Sequence, residues 1–183
     1  MSDDFDDRLD GWVEQVREAI EETREFEFDL TAHAAARRDS ASPGDRATDA
    51  ERLFLLMGYA DYQSSNGGLW KLYHDEPIDS AEAPQLYEAV GLPRTAAVVR
   101  EAFAAMSLSG GADTEAGRIA DLEFSRHFFD ALQSEAPGAG SLYQATSRAL
   151  AVYVAGRPQD FPSLNGDTLT AAAGFARQFC EVE

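Results

Sequence analysis

Apolar residues recur along this chain at the spacing of an α-helix, and this periodicity restricts the fold more than any other feature. Two segments show the i, i+3, i+4, i+7 pattern of one helix face: Leu53, Leu56, Met57 and Ala60, and Leu169, Ala172, Ala173 and Ala176. No segment keeps the alternation of apolar and polar residues that is typical of a half-buried strand. The pattern predicts an all-α fold with no sheet.

Local start and stop signals agree with the periodicity. Thr48 and Glu51 have the spacing of a capping box, Pro93 suits the first turn of a helix, and Asp113 is positioned to cap the helix that follows it. Turn signals at Asn66-Gly67-Gly68 and at several other places separate the helical segments. We expect about eight helices in a compact bundle, and the 183 residues, 44% of them apolar, fit a single domain over residues 1–183.

The charge of the chain restricts its partners. There are 33 Asp and Glu against 15 Lys and Arg, a formal net charge of −18. Direct binding to nucleic acid or to an anionic membrane is disfavoured, because both require basic patches. Residues 1–30 contain 12 acidic residues and three arginines, so half of the net charge lies in this short segment. A binding partner should be a basic protein.

Residues 3–26 are predicted to form a long acidic N-terminal helix. At 100° per residue, its apolar side chains fall on one face: Phe5, Leu9, Trp12, Val13, Val16 and Ile20. The opposite face collects seven carboxylates, which we call the acid stripe: Asp3, Asp7, Asp10, Glu14, Glu18, Glu21 and Glu25. The stripe runs for roughly 33 Å along the helix, with one carboxylate every ~5.4 Å.

The acid stripe has three interpretations. The first is a solvated helix face, because charge runs usually have no further role. The second is a row of carboxylates that resembles the negative charge along a nucleic-acid backbone and binds a basic DNA-binding surface. The third is an adaptation to high salt, although a general adaptation would spread the acidic residues more evenly. Their concentration in residues 1–30 favours a local role.

The middle of the chain carries a motif that resembles a known family. Residues 61–73 and 83–103 resemble the DNA-mimic protein family, whose pattern is a Gln-x-x-Asn-Gly-Gly turn, an aromatic helix and a step into an Ala- and Val-rich helix. The matching turn and aromatic positions are Gln63, Asn66, Gly67, Gly68, Trp70 and Tyr73. Leu122-Glu123 and Tyr73 depart from the family pattern, and the resemblance covers roughly residues 48–161.

The resemblance implies an all-helical acidic protein. The best-known member of that family is a dimer that presents carboxylates like DNA phosphates and occupies the DNA-binding surface of a repressor. For this chain the resemblance therefore implies a basic DNA-binding regulator as partner and a homodimer.

The motif also has a local interpretation. Two glycines after a helix can adopt positive φ and let the next helix start at a sharp angle, while Asn66 caps the turn through its amide. Trp70 and Tyr73, three residues apart, are more typical of a core than of a ligand platform. A helix junction is thus the simpler function of Asn66-Gly67-Gly68.

No pattern of catalytic or metal-binding residues stands out. The histidines are His33, His74 and His127, at no metal-ligand spacing, and the single cysteine excludes a zinc ribbon. Nucleophile-elbow, P-loop and dinucleotide-binding motifs are absent from the sequence. We expect no enzyme activity, no catalytic residues, no metal and no cofactor.

Three functions remain open from the sequence. The favoured one is an acidic regulator that binds a basic protein. The alternatives are an immunity or inhibitor protein for a basic toxin and, least favoured, a carboxylate-based hydrolase. No apolar run reaches the ~18 residues of a membrane span, and the N-terminus is acidic where a secretory signal is basic, so we expect a cytoplasmic protein that does not bind membranes.

Overall fold

The computed structural model describes residues 46–74, 81–109, 114–136, 142–162, 164 and 166–180. These residues contain six α-helices and one short 3₁₀ helix, and no strand. The helices are α1 (Asp49–His74), α2 (Glu82–Ala89), α3 (Pro93–Leu108), α4 (Glu115–Glu135), α5 (Leu142–Ala155) and α6 (Gly166–Cys180), with the 3₁₀ helix at Pro158–Asp160. The predicted all-α fold is confirmed.

Contacts divide the chain into two compact units. Among the described residues, those up to Tyr59 and from Leu150 onward form the first unit, and Ala60–Ala149 form the second. Both boundaries fall inside helices, in α1 and in α5. A single domain over residues 1–183 stays a prediction.

The predicted capping box is present at the start of α1, in the first unit. The Thr48 backbone N–H donates to Glu51 Oε2 at 2.8 Å, and the Glu51 N–H donates to Thr48 Oγ1 at 3.1 Å. The Thr48 hydroxyl also donates to the Asp160 carbonyl at 2.6 Å, which ties α1 to the 3₁₀ helix. Phe161 follows that helix and meets the rings of Phe54 and Tyr153 edge to face, at centroid distances of 6.5 and 6.1 Å.

The buried side chains of α1 in the first unit differ from the predicted face. Leu53 and Leu56, which the periodicity places in the core, are only half-buried, whereas Phe54 and Leu55 are buried together with Met57. Buried positions therefore lie around most of the helix rather than along one stripe. A helix enclosed on several sides loses the one-sided pattern that sequence periodicity detects.

The core of the second unit is built mainly from α2, α3 and α4. Its fully or nearly fully buried apolar residues include Leu69, Leu72, Leu86, Tyr87, Val99, Ala102, Phe103, Met106, Phe128 and Leu132. Tyr87 of α2 contacts Phe128 of α4 with ring centroids 5.6 Å apart and planes at 82°. Val99, Ala102 and Met106 of α3 are buried in this core.

A buried polar cluster links three helices of the second unit. The Thr146 hydroxyl of α5 donates to Asp61 Oδ1 of α1 at 2.7 Å, and the Ser64 hydroxyl donates to the Asp61 carbonyl at 3.1 Å. Burial raises the pKa of the nearby Tyr87 hydroxyl well above its usual range, and the Asp61 charge raises it further. Tyr87 is therefore neutral over the whole physiological pH range.

The start of α4 has a side-chain cap, and the start of α3 has the predicted proline in its first turn. The residue that caps α4 is Thr114, whose hydroxyl accepts from the Gly117 N–H at 2.9 Å, so the assignment of the cap to Asp113 is wrong by one residue. Threonine and aspartate both serve as N-cap residues, and sequence alone does not separate neighbouring candidates. Pro93 begins α3 as predicted.

The start of α3 has no side-chain cap from its own N-cap residue, Leu92. Glu135, at the end of α4, takes that role: its Oε1 accepts from the Arg94 N–H at 2.7 Å, and its Oε2 accepts from the Thr95 N–H at 2.9 Å. The Thr95 hydroxyl donates to the same oxygen at 2.7 Å. These hydrogen bonds join α4 to α3. A carboxylate at a helix N-terminus also interacts favourably with the helix dipole.

Within the described ranges no helix combines the length and the apolar character that crossing a bilayer requires.

Thr48 offers a direct test of the α1 capping box. Replacing Thr48 with Ala removes both the cap and the hydrogen bond to Asp160, and we expect the free energy of unfolding to fall by about 1–2 kcal/mol. Thr48→Ser keeps the hydroxyl and should change it by less than about 0.5 kcal/mol. Denaturant titration followed by far-ultraviolet circular dichroism measures both values. Equal stability of the Ala and Ser variants would show that the hydroxyl contributes nothing.

Candidate functional site

The acid stripe lies outside the residues that the structure describes. This holds for all seven carboxylates: Asp3, Asp7, Asp10, Glu14, Glu18, Glu21 and Glu25. Its role as a partner-binding surface stays a prediction. Among the described residues, the candidate functional site is the motif from Gln63 to Tyr73.

The motif interrupts α1 at one residue. Gly68 has φ 72° and ψ −172°, outside the helical region, while the flanking residues on both sides are helical. Asn66 lies just before the break, and its side-chain amide donates to the Tyr62 carbonyl, four residues earlier, at 2.8 Å. The predicted junction and the predicted capping by Asn66 are both present, with positive φ at Gly68 rather than at both glycines.

The helix restarts after Gly68 with its first amides bound to α4. The Trp70 N–H donates to Asp121 Oδ1 at 2.6 Å, and the Leu69 N–H donates to Ser125 Oγ at 3.4 Å. The Ser125 hydroxyl in turn donates to Asp121 Oδ1 at 3.3 Å. Asp121 thus serves as the N-cap of a helix segment 51 residues earlier in the sequence.

Close contacts require glycine at both positions of the pair. A Cβ on Gly68 would lie 3.0 Å from Ser125 Oγ and 3.5 Å from the Asp121 carboxylate oxygens. A Cβ on Gly67 would lie 2.7 Å from Lys71 Cβ. The backbone conformation at Gly68 also belongs to a region that only glycine adopts readily. The Gly-Gly pair therefore follows from packing and backbone geometry.

The other motif residues pack inside the second unit. Gln63 is buried, and Trp70 is half-buried. Tyr73 is half-buried too, and its ring contacts Phe103 of α3 with centroids 5.3 Å apart. The structure thus brings Gln63, Trp70 and Tyr73 into the packing around the helix break. This agrees with the interpretation that the two aromatic residues belong to the core.

The carboxyl group of Asp121, which caps the restarted helix, has a shifted pKa. Burial raises its pKa above the usual value, and the hydrogen bonds from the Trp70 amide and Ser125 oppose that rise without cancelling it. The carboxylate is already engaged by a backbone amide, so its geometry serves helix capping. Sequence reasoning missed Asp121 and Ser125, because nothing in the local pattern of α4 shows that these polar residues face another helix.

The histidines form no metal centre in the described part of the chain. His127 is exposed on α4, with its ring beside Phe124 at a centroid distance of 6.0 Å. Across the described ranges, no group of three or more His, Cys, Asp or Glu side chains is arranged to hold a metal ion.

Comparison with known proteins identifies a family for most of the chain. A family model described as DMP19-like protein matches residues 45–160, which include the whole Gly68 junction and both of its partners on α4. No curated protein and no solved structure matches the chain significantly.

Gly68→Ala tests whether the junction requires glycine. Backbone strain and the contact with Ser125 should together lower the free energy of unfolding by about 2 kcal/mol or more. Gly91→Ala is a matched control, because Gly91 also has positive φ (86°) but nothing within 4 Å of an added Cβ. It should cost about 1 kcal/mol.

The contribution of the Ser125 contact can be separated by a double variant. If the contact matters, Gly68→Ala with Ser125→Ala is destabilised less than the sum of the two single variants. Strict additivity, together with a Gly68→Ala cost no larger than that of Gly91→Ala, would contradict the close approach at Gly68.

The raised pKa of Asp121 predicts a pH dependence that Asp121→Asn removes. The folded-state pKa lies above the unfolded value, near 3.9, so protonation favours the folded state. The stabilising contribution is complete below the unfolded pKa and is lost as pH rises through the folded pKa. Stability relative to Asp121→Asn should therefore fall with rising pH across this window and then level off. Parallel urea titrations from acid to neutral pH test this, and a relative stability that increases with pH would refute it.

Proposed function

Because this chain belongs to the DMP19-like protein family, we propose that it acts by binding a basic protein through its surface carboxylates. The observation that carries the proposal is the acid excess, a net charge of −18 on 183 residues. Such a charge produces a potential that attracts basic surfaces and repels nucleic acid. We further propose that the protein acts by binding and is not an enzyme.

The excess charge is divided between the family region and the rest of the chain. Residues 45–160 contain 17 Asp and Glu against 9 Lys and Arg, a net charge of −8. The remaining 67 residues therefore carry −10, most of it in residues 1–30. More than half of the net negative charge thus lies outside the part of the chain that the family match covers.

Several carboxylates of the family region are engaged within the fold. Asp121 and Glu135 accept backbone amides, Asp61 accepts the Thr146 hydroxyl, and Glu51 completes the capping box. Glu88 pairs with Arg100 at 2.6 Å. These groups are poorly placed to receive a partner. This supports the acid stripe, with its seven carboxylates on one predicted helix face, as the proposed binding surface.

In its most specific form the proposal is DNA mimicry. A row of carboxylates with regular spacing presents negative charge along a line, as a nucleic-acid strand does, and the DNA-binding surface of a regulator is basic along such a line. The proposed partner is then a DNA-binding regulator in the cytoplasm. An immunity protein against a basic toxin would use the same charges on a different partner.

Charge reversal tests the acid stripe. Reversing Glu14, Glu18 and Glu21 to Lys should abolish binding to the basic protein that the wild-type chain captures from native lysate. The fold should persist, because surface substitutions usually cost within ~0.5 kcal/mol each. The matched control reverses three exposed carboxylates of the family region, Glu82, Glu101 and Glu123, with the same change in net charge. Isothermal titration with the purified partner compares the affinities.

The control separates a local site from general attraction. Retained binding by the control triple and lost binding by the stripe triple support the stripe. Equal loss in both would show that net charge alone attracts the partner, and unchanged binding by the stripe triple would exclude the stripe. Duplex DNA that competes with the chain for the partner supports mimicry, whereas a captured toxin with no DNA affinity supports the inhibitor alternative.

Salt dependence tests the alternative of adaptation to high salt. Binding through the stripe should weaken steeply as salt is added, because opposite charges near a surface are screened beyond about 10 Å at 0.1 M. Adaptation to high salt predicts instead that the wild-type fold gains stability as salt rises and that the stripe triple loses no partner.

A further inference from the structure

The first unit contains a cavity of about 540 Å³ between the start of α1 and the chain from the end of α5 to the 3₁₀ helix. It opens to solvent, and its volume lies in the range of pockets that bind small molecules. The lining combines charged, aromatic and aliphatic groups. None of its residues belongs to the acid stripe or to the motif around Gly68, so the proposed function makes no use of this cavity.

Two features of the cavity favour a negatively charged group. The guanidinium of Arg157 lies over the ring of Tyr153, 4.3 Å from the ring centroid, and this stacking orients it. The N–H donors of a guanidinium lie in its own plane, so the stacking leaves them available to an acceptor. Asp49 and Ala50, the first two residues of α1, also line the cavity. Amides in the first turn of a helix have no acceptor inside the helix.

Two carboxylates in the same cavity favour a positively charged group. Asp49 is exposed and Asp160 is half-buried, and both residues line the cavity. The hydrogen bond from the Thr48 hydroxyl to the Asp160 carbonyl, 2.6 Å long, holds Asp160 beside the start of α1. One guanidinium against two carboxylates disfavours a simple anion, while the guanidinium and the helix N-terminus disfavour a simple cation. A zwitterion satisfies both kinds of group.

The Tyr153 hydroxyl is a polar group of the cavity with no partner in the fold. The side chain is only 9% exposed, and its ring packs against Phe161. Within the described ranges the hydroxyl forms no hydrogen bond. Burial raises the pKa of this hydroxyl, Arg157 lowers it, and Asp160 and Asp49 raise it further, so all three charges lie near it. A largely buried polar group without a partner marks a place where a ligand can supply one.

We propose that this cavity binds a free α-amino acid with an aliphatic side chain. The carboxylate of the ligand accepts hydrogen bonds from the Arg157 guanidinium and the first amides of α1, and its ammonium group pairs with the Asp160 carboxylate. The Tyr153 hydroxyl donates to the ligand carboxylate. Ala50 and Leu53, which also line the cavity, provide the apolar surface for the side chain. This inference is independent of the proposed function.

Titration of the full-length chain with L-valine tests the binding. Amide resonances of Ala50 and Arg157 in nuclear magnetic resonance spectra should shift and saturate, with a dissociation constant of about 1 mM, as expected for a ligand of few atoms. N-acetyl-L-valine lacks the positive charge and L-valinamide lacks the negative charge. Each should bind at least tenfold more weakly than L-valine, because each leaves one kind of charged group in the cavity without a partner.

The roles of Arg157 and Tyr153 are tested by single variants. Arg157→Gln should weaken L-valine binding at least tenfold, and Tyr153→Phe, which removes only the hydroxyl, should weaken it about fivefold. Arg118→Gln is the matched control, because it makes the same change in net charge at an exposed position of α4 that does not line the cavity. Its affinity should stay within twofold of wild type, and circular dichroism confirms that each variant folds.

Asp160→Asn tests the charge arrangement. The variant should bind L-valine at least tenfold more weakly and N-acetyl-L-valine more tightly than wild type does, because the carboxylate attracts an ammonium group and repels an anion. No saturating shift up to about 20 mM L-valine, or wild-type affinity in Arg157→Gln, would overturn the proposal. N-acetyl-L-valine or L-valinamide that binds wild type as tightly as L-valine would overturn recognition of a zwitterion.

Discussion

The hydrogen bond from the Trp70 amide to the Asp121 carboxylate, 2.6 Å long, fixes the place where α1 breaks and restarts. A helix segment that begins in the middle of a longer helix has first amides with no partner inside the helix, and a capping side chain can satisfy them. Asp121 does so from α4, with Ser125 beside it. The break at Gly68 is stable because α4 lies close enough to cap the restart, and α4 can lie that close because residue 68 has no side chain.

Two carboxylates of helix α4 each cap the start of another helical segment. Asp121 caps the second segment of α1, and Glu135, fourteen residues later and ~21 Å along the axis, caps the start of α3. Both carboxylates accept backbone amides inside the second unit and are therefore engaged within the fold. The opposite side of α4 exposes the side chains of Ile119 and Leu122.

The sequence predicts the parts of this structure that depend on near neighbours. The capping box at Thr48 and Glu51, the helix start at Pro93 and the junction at Asn66 to Gly68 each follow from residues within four positions. The caps from Asp121 and Glu135 bridge 40 or more residues, and no local pattern reveals them. The one-sided face predicted around Leu53 and Leu56 is only partly correct, because that stretch of α1 is buried on several sides.

The motif shared with the family therefore encodes a helix junction, and the residues proposed to meet a partner lie elsewhere on the chain. Amide hydrogen exchange at Trp70 tests this claim most directly. The Trp70 amide should be protected in wild type and lose that protection in Asp121→Ala, while amides in the first half of α1, such as that of Met57, stay protected. A Trp70 amide that exchanges equally fast in both proteins would contradict the account.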